Sequence, residues 1–183
     1  MALLGESLVE EWLNRNGFFT ILGVKHGVGE MDLLAVRPVQ NGQIIGWPVE
    51  VQISFRPIGY IAKLTRDILG ESKRSPRSVV KRTPEHIESC ARQWVEDKFR
   101  DSRKTRLRDR LWPDVRWEFH FVHAVVKDPH ELEIIANEGI ILHPFHEVLS
   151  TLAQRDAQSF SGSAGGDLAE IVSYYKSHKE PAE

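Results

Sequence analysis

Three short apolar segments follow an N-terminal helix pattern and constrain the fold more than any other feature of the chain. Residues 18–25, 30–37 and 44–54 are rich in β-branched and aromatic types, which is typical of strands. The turn at 26–29 and the loop at 38–42 are too short to contain a crossover helix. We therefore predict three strands that run antiparallel to their neighbours.

The remaining segments alternate between helix and strand patterns. Spacings typical of an amphipathic helix predict helices over 3–15, 58–69, 84–100 (with a frayed continuation to Arg110), 128–137 and 145–153. Strands are predicted over 116–126 and 140–143, and helices connect them, so they can run parallel. The predicted fold class is α/β, with a mixed β-sheet core flanked by helices.

The length and composition indicate one principal domain. The chain has 183 residues, of which 41% are hydrophobic, and we predict a domain over 1–157. The Ser- and Gly-rich residues 158–166 are predicted to be a flexible linker, and 167–183 a C-terminal helix and tail.

Several classes of protein are excluded by simple sequence features. Cys90 is the only cysteine, which excludes a disulfide framework and a four-cysteine zinc site. The N-terminal residues lack the pattern of a signal peptide, and no apolar run reaches the roughly 18–20 residues that span a bilayer. We therefore predict a cytoplasmic protein with no membrane partner.

The charge distribution is uneven along the chain. Residues 56–110 contain 16 basic and 8 acidic residues, a net charge of +8, although the whole chain has a net charge of −2. This asymmetry predicts a polyanionic partner, contacted through its phosphates rather than its bases. The alternative is a solvated surface that only maintains solubility. The basic residues form two groups: Lys73, Arg74, Arg77, Lys81 and Arg82; and Lys98, Arg100, Arg103, Lys104, Arg106, Arg108 and Arg110.

Acidic residues interrupt two of the apolar strands. Glu30 and Asp32 share a face of the second strand, and Glu50 and Gln52 share a face of the third. A buried carboxylate needs a partner or a metal. Carboxylates from adjacent strands form a hard oxygen site that suits Mg²⁺. Ion-paired sheet acids are the alternative for Asp32 and Glu50, and a solvated acid is an equal alternative for Glu30.

These residues resemble the core of the PD-(D/E)XK nucleases. The segment GEMDLLA at 29–35, the gap of about eighteen residues from Asp32 to Glu50, and Glu50-Val51-Gln52 carry the resemblance. The form Gly-Glu-x-Asp-Leu is similar to Holliday-junction-resolvase-like and restriction-endonuclease-like members. The resemblance covers about residues 3–153 and implies a restriction-endonuclease-like fold.

The resemblance also implies roles for individual residues. Asp32 and Glu50 would bind Mg²⁺ or Mn²⁺, and Glu6 on the first helix would be a supporting acid. Gln52 occupies the position of the family lysine; it can donate a hydrogen bond but carries no charge. Lys25 and Lys63 are candidates to replace that lysine. Lys63, Lys73, Arg74, Arg77, Lys81 and Arg82 are candidate DNA phosphate contacts.

The predicted function is hydrolysis of DNA phosphodiester bonds by a metal-dependent nuclease. One alternative is a degenerate module of the same fold that binds nucleic acid or a protein partner without cutting it. Another is a subunit of a larger DNA-processing assembly, and a homodimer remains an open expectation. A zinc site is disfavoured, because His120 and His123 face opposite sides of a strand and His143 and His146 lack a second ligand pair.

Overall fold

The computed structural model describes residues 2–26, 29–56, 59–71, 75, 81–154 and 163–179. The helices are α1 (Ala2–Arg15), α2 (Arg66–Glu71), α3 (Pro84–Val95), α4 (Ser102–Leu111), α5 (Pro129–Asn137), α6 (Phe145–Leu152) and α7 (Ser163–Lys179). The strands are β1 (Phe19–His26), β2 (Gly29–Pro38), β3 (Ile44–Gln52), β4 (Arg116–Trp117), β5 (His120–His123) and β6 (Ile141–Pro144). A π-helical turn, Glu96–Arg100, connects α3 to α4 through Asp101. No helix within the described ranges is long and apolar enough to cross a membrane.

The strands form one mixed sheet. Its order is β1-β2-β3-β5-β6, and the short β4 also pairs with β3. The β1–β2 and β2–β3 pairs are antiparallel, whereas β3–β5 and β5–β6 are parallel. The α/β fold class and the mixed sheet flanked by helices, which the sequence predicts, are both confirmed.

One face of the sheet packs against α1, α6 and α7. Val49 alternates with Glu50 along β3, so that it points to this face together with Val122 of the neighbouring strand. Leu13 of α1 and Leu152 of α6 are fully buried against them. This apolar layer packs against β2 and β3, and Asp32 and Glu50 point to the other face.

The opposite face is covered by α3, α5, the π-helical turn and α4. Phe121 and Phe99 are fully buried there, together with Val95 of α3. The helix α4 contains few apolar residues, and the aliphatic stems of basic residues cover apolar surface instead. Arg108 is only 3% exposed, and its guanidinium lies 5.1 Å from the ring of Phe119.

Several local signals are confirmed by the structure. Gly17 has a φ of 79° after α1, as a left-handed C-cap requires. The hydroxyl of Thr83 accepts a hydrogen bond from the backbone of His86, and Pro84 occupies the first turn of α3. The carboxylate of Asp128 caps α5 in the same way.

Two predicted elements were wrong in their extent. Within the described part of the helix predicted over 58–69, only α2 is helical, because the backbone N–H groups of Ile61 and Ala62 bond to the carboxylate of Glu131 instead. The strand predicted over 116–126 is divided into β4 and β5. The helix predicted over 84–100 is confirmed in its extent, with its last five residues in π-helical form, and the continuation to Arg110 is a separate helix, α4.

The predicted linker lies partly outside the described residues, but α7 already begins at Ser163. Gly165 packs so closely on α1 that an added Cβ would lie 2.6 Å from the carbonyl oxygen of Ser7. The glycine therefore permits close helix packing, which composition alone did not distinguish from a linker.

Candidate active site

Asp32 and Glu50 lie side by side on neighbouring strands. Oδ2 of Asp32 accepts a hydrogen bond from the backbone N–H of Val51 at 2.8 Å. This bond fixes the Asp32 carboxylate beside Glu50. Glu50 is only 3% exposed, and Asp32 is half-buried. The antiparallel register of β2 and β3 therefore brings together the two acids that the sequence separates by about eighteen residues.

Two lysines from the helical layer bind Glu50. Nζ of Lys98, in the π-helical turn, lies 2.5 Å from Oε2 of Glu50. Nζ of Lys104, in α4, lies 3.0 Å from Oε1 and also donates to the backbone carbonyl of Lys98 at 2.7 Å. The Lys104 side chain is buried, whereas that of Lys98 is 36% exposed. One lysine is thus enclosed, and the other faces the surface beside the two acids.

The charged groups of this cluster shift one another's pKa values. Burial, followed by repulsion from Asp32, raises the pKa of Glu50 to about 7, although Lys98 and Lys104 act in the opposite direction. Burial alone would lower the pKa of Lys98, but attraction to Glu50, Asp32 and Glu30 outweighs it, and the pKa is raised. Lys98 is therefore a protonated donor at neutral pH.

Glu6 and Glu30 add two further carboxylates near Asp32. Burial and repulsion from Asp32 and Glu30 raise the pKa of Glu6, which places this α1 side chain near both acids of β2. Glu30 is exposed, and its Oε1 lies 3.1 Å from the position that a Cβ on Gly23 would occupy. The carboxylates of Glu6, Glu30 and Asp32 therefore act electrostatically on the Glu50–Lys98 pair or on one another.

Gln52 follows Glu50 on the same face of β3. It borders a groove of about 650 Å³ that Lys98 also lines. The two side chains therefore approach the same space from the sheet and from the helical layer. Lys98 thus presents an ammonium group to the same groove that the Gln52 side chain borders.

A metal site would have to be built on few protein ligands. Among the residues that the structure describes, no group of three or more His, Cys, Asp or Glu side chains is arranged to hold a metal ion. Mg²⁺ is commonly bound through one or two carboxylates and keeps several waters. Asp32 and Glu50 are the two carboxylates that could serve. One oxygen of Asp32 accepts a hydrogen bond from Val51, and the two oxygens of Glu50 bind Lys98 and Lys104, so a metal would compete with these lysines for Glu50.

The predicted phosphate contacts differ in exposure. Lys63 and Lys81 are exposed, as is Lys25 at the end of β1. Arg82 is only 4% exposed; its guanidinium donates to the carbonyl of Ala62 and lies over the ring of Tyr60. This burial does not suit a phosphate contact. Lys73, Arg74 and Arg77 lie outside the described residues.

Within the described part of the chain, the histidines are not grouped as a metal centre. His120 and His123 point to opposite faces, as predicted. The ring of His120 stacks on Trp47, whereas His123 lines a small cavity with Gln52. Nδ1 of His120 and Nε2 of His143 are 2.8 Å apart, so these rings pack together in the core.

Sequence reasoning assigned neither Lys98 nor Lys104 to the site. Both were grouped with a basic run that was too dense for one helix face. A usable signal was present: Lys104 and Arg108 are four residues apart, and both are 3% exposed on the inner face of α4. An almost entirely polar helix that must cover a sheet has to turn some of its basic residues inward.

The comparisons with known proteins found few similarities. No family model and no curated protein matches the chain. One similar solved structure is a protein of unknown function, AF1548, with 11% identity and a TM-score of 0.45, covering 82% of this chain and 66% of that one. Another is the MspJI restriction endonuclease in complex with a 27-mer oligonucleotide, with 14% identity and a TM-score of 0.39, covering 94% of this chain and 30% of that one. The chain thus spans slightly less than two thirds of the first and under a third of the second.

Proposed function

We propose that this protein is a metal-dependent nuclease that hydrolyses DNA phosphodiester bonds. The observation that carries the proposal is the meeting of Asp32, Glu50 and Lys98 at one point. Two carboxylates on adjacent strands supply hard oxygen ligands, and a protonated lysine beside them can contact a phosphate.

The donor set fits Mg²⁺ or Mn²⁺. With all groups ionised, the carboxylates of Glu6, Glu30, Asp32 and Glu50 exceed the ammonium groups of Lys98 and Lys104 by two negative charges. Asp32 and Glu50 would hold the metal, with Glu6 as a supporting acid. When bound, the metal would supply positive charge to the scissile phosphate and lower the pKa of a coordinated water.

Lys98 supplies a positive charge, which the neutral side chain of Gln52 cannot provide. Its ammonium group carries three protons, of which the Glu50 contact uses one. The others can donate to a non-bridging phosphate oxygen, or to the attacking water, as negative charge develops on the phosphate. Gln52 lies on the same face of β3 and provides a neutral amide donor for the same water.

Lys104 acts as a positioning residue. It is buried, and it joins Oε1 of Glu50 to the backbone carbonyl of Lys98. This bridge fixes the distance between the metal-binding strand and the turn that carries Lys98. Exposed Lys63 and Lys81 remain candidates for contacts with the DNA backbone.

Cleavage of a DNA panel tests this function. Single-stranded, duplex and branched substrates are incubated with Mg²⁺, Mn²⁺ or EDTA, and wild type is compared with Asp32→Asn. We expect cutting that needs the metal and is abolished by the substitution. Asp167→Asn, an exposed aspartate on α7, is the matched control and should cut normally.

Retained DNA binding without cutting would instead favour the degenerate module. In that case wild type and Asp32→Asn would both bind DNA with an affinity that falls as salt is added, and neither would cut any substrate.

A further inference from the structure

A groove leads away from the candidate active site, and the proposed hydrolysis uses only its inner end. The groove lies between the irregular segment 59–64 and the helical layer formed by α3 and the π-helical turn. Its volume of about 650 Å³ is within the range of sites for small molecules. A single nucleotide unit suits this space, whereas both strands of a duplex would not enter it.

Two aromatic rings in the groove wall are held in place by the protein. Trp94 packs edge-on against Phe121, with ring centroids 4.8 Å apart. The ring of Tyr60 is backed by the guanidinium of Arg82 at 4.0 Å, and its hydroxyl accepts a hydrogen bond from the Arg82 backbone at 3.0 Å. Rings that are rigid before binding lose little entropy when a flat apolar group packs against them. Nucleobases are such groups.

The polar side of the groove presents hydrogen-bond acceptors. Gln93 and Asp97 are both exposed and line the groove, and Nε2 of Gln93 donates to Oδ1 of Asp97 at 2.8 Å. A carboxylate can only accept, so the amide nitrogen of Gln93 must point toward it. The Oε1 of Gln93 and the second oxygen of Asp97 therefore remain as acceptors. Such a pair suits an exocyclic amino group, as on cytosine, and not the O4 of thymine.

Two lysines line this groove from different elements. Lys98 belongs to the π-helical turn and binds Glu50, and exposed Lys63 belongs to the segment 59–64 on the other side. A nucleotide whose base occupied the groove would have its two flanking phosphates near these ammonium groups. The charge pattern therefore fits one nucleotide of a strand, with its base inward.

We propose that this groove binds an unpaired nucleobase with an exocyclic amino group, in the DNA strand whose phosphate contacts Lys98. The inference rests on the proposed function and defines its substrate class: single-stranded or locally unpaired DNA. A base within a duplex would have to be unstacked and unpaired before it could enter.

Binding of short oligonucleotides without metal tests the groove independently of cleavage. The affinity of wild type for fluorescein-labelled dC12 and dT12 is measured by fluorescence anisotropy in EDTA at pH 8. These strands differ at the exocyclic position, where cytosine has an amino group and thymine has O4, and thymine also carries an N3–H group and a C5 methyl group. We expect dC12 to bind about tenfold more tightly, as two acceptors for an amino group predict.

Two variants test the acceptors of Asp97 and Gln93 separately. Asp97→Asn replaces an acceptor with a donor, so the dC12 to dT12 preference should fall to about one or invert. Gln93→Met keeps the shape of the side chain but removes its acceptor. It should weaken dC12 binding by about fivefold and leave the affinity for a 12-base-pair duplex within about twofold. Glu88→Gln, an exposed residue of the same helix, is the control.

A dC12 to dT12 ratio that is near one in wild type, or unchanged in Asp97→Asn, would overturn the groove proposal. Because the readout is metal-free binding, it is separate from the proposed function. Cleavage that depends on Asp32, without a base preference in binding, would contradict the groove proposal alone. A base preference in binding without any cleavage would contradict the proposed nuclease activity alone.

Discussion

The ammonium group of Lys98 binds the carboxylate of Glu50 at 2.5 Å, across 48 residues of sequence. Glu50 comes from the centre of the sheet, and Lys98 from a π-helical turn packed above it. The turn is anchored by Phe99, which follows Lys98 in the chain and is fully buried. π-Helical turns within helices are uncommon and frequently occur at functional sites.

The bridge between Lys104 and Glu50 should be energetically coupled. Removing one partner of a buried pair leaves the other charge uncompensated, so Lys104→Met should lower the free energy of unfolding by about 2–4 kcal/mol. A double-mutant cycle with Glu50→Gln, measured by urea unfolding, should give a coupling energy of at least about 1 kcal/mol. The exposed pair Glu88–Arg92 is the control and should give less than about 0.5 kcal/mol. Equal coupling in both cycles would contradict the bridging role.

The buried histidine pair should make the fold sensitive to acid. Burial and the neighbouring His143 lower the pKa of His120 from 6.5 to about 3. His120 thus stays neutral in the folded state while it gains a proton in the unfolded state. Its contribution to stability is complete above pH 6.5 and is lost as the pH falls toward 3, at about 1.4 kcal/mol per pH unit.

Replacing His120 should remove this acid sensitivity. In His120→Phe the aromatic ring can still stack on Trp47, so the free energy of unfolding should fall less between pH 6.5 and pH 4 than in wild type. Exposed His130→Gln should retain the wild-type slope. Parallel pH profiles for wild type and His120→Phe would show that another group controls the acid sensitivity.

The carboxylate of Glu131 should stabilise the segment that lines the groove. It is fully buried and accepts the N–H groups of Ile61 and Ala62, both at 2.7 Å. Glu131→Gln turns one acceptor into a donor and should lower the free energy of unfolding by about 2–3 kcal/mol. Hydrogen exchange at the Ile61 and Ala62 amides should accelerate as well. Exposed Glu133→Gln on the same helix should change neither quantity, and unchanged exchange in Glu131→Gln would contradict this role.

Local sequence patterns predicted the parts of the molecule that local physics determines. The helices that begin at Pro84 and Pro129 were predicted close to their observed starts, because the caps at Thr83 and Asp128 depend only on neighbouring residues. The adjacency of Asp32 and Glu50 could also be predicted from the sequence. Short connections force neighbouring strands to pair antiparallel, and the alternation of side chains along a strand determines the face on which each residue lies. Their metal-binding role remains a prediction.

The lysine contacts could not be predicted, because they depend on how α3 and α4 pack over the sheet. The spacing of Lys104 and Arg108 indicates an inward-facing side of α4, but no local feature identifies Glu50, about fifty residues earlier, as the partner. The segment 59–64 was wrongly predicted for the same reason: its apolar spacing fits a helix, but its backbone bonds to Glu131, seventy residues away. The hydrogen bonds to Glu131 therefore favour the irregular conformation of this segment over the helix that its sequence pattern predicts.

Relocating the lysine tests the central claim, that Asp32, Glu50 and Lys98 form a hydrolytic site. Single-turnover DNA cleavage in Mg²⁺ is compared among wild type, Lys98→Met and the double variant Lys98→Met/Gln52→Lys, with exposed Lys127→Met as the control. We predict that Lys98→Met slows cleavage by about 10²–10³-fold. The double variant should recover part of the loss, because a lysine at position 52 extends from the same face of β3 as Glu50. Cleavage by Lys98→Met at the wild-type rate would contradict the account.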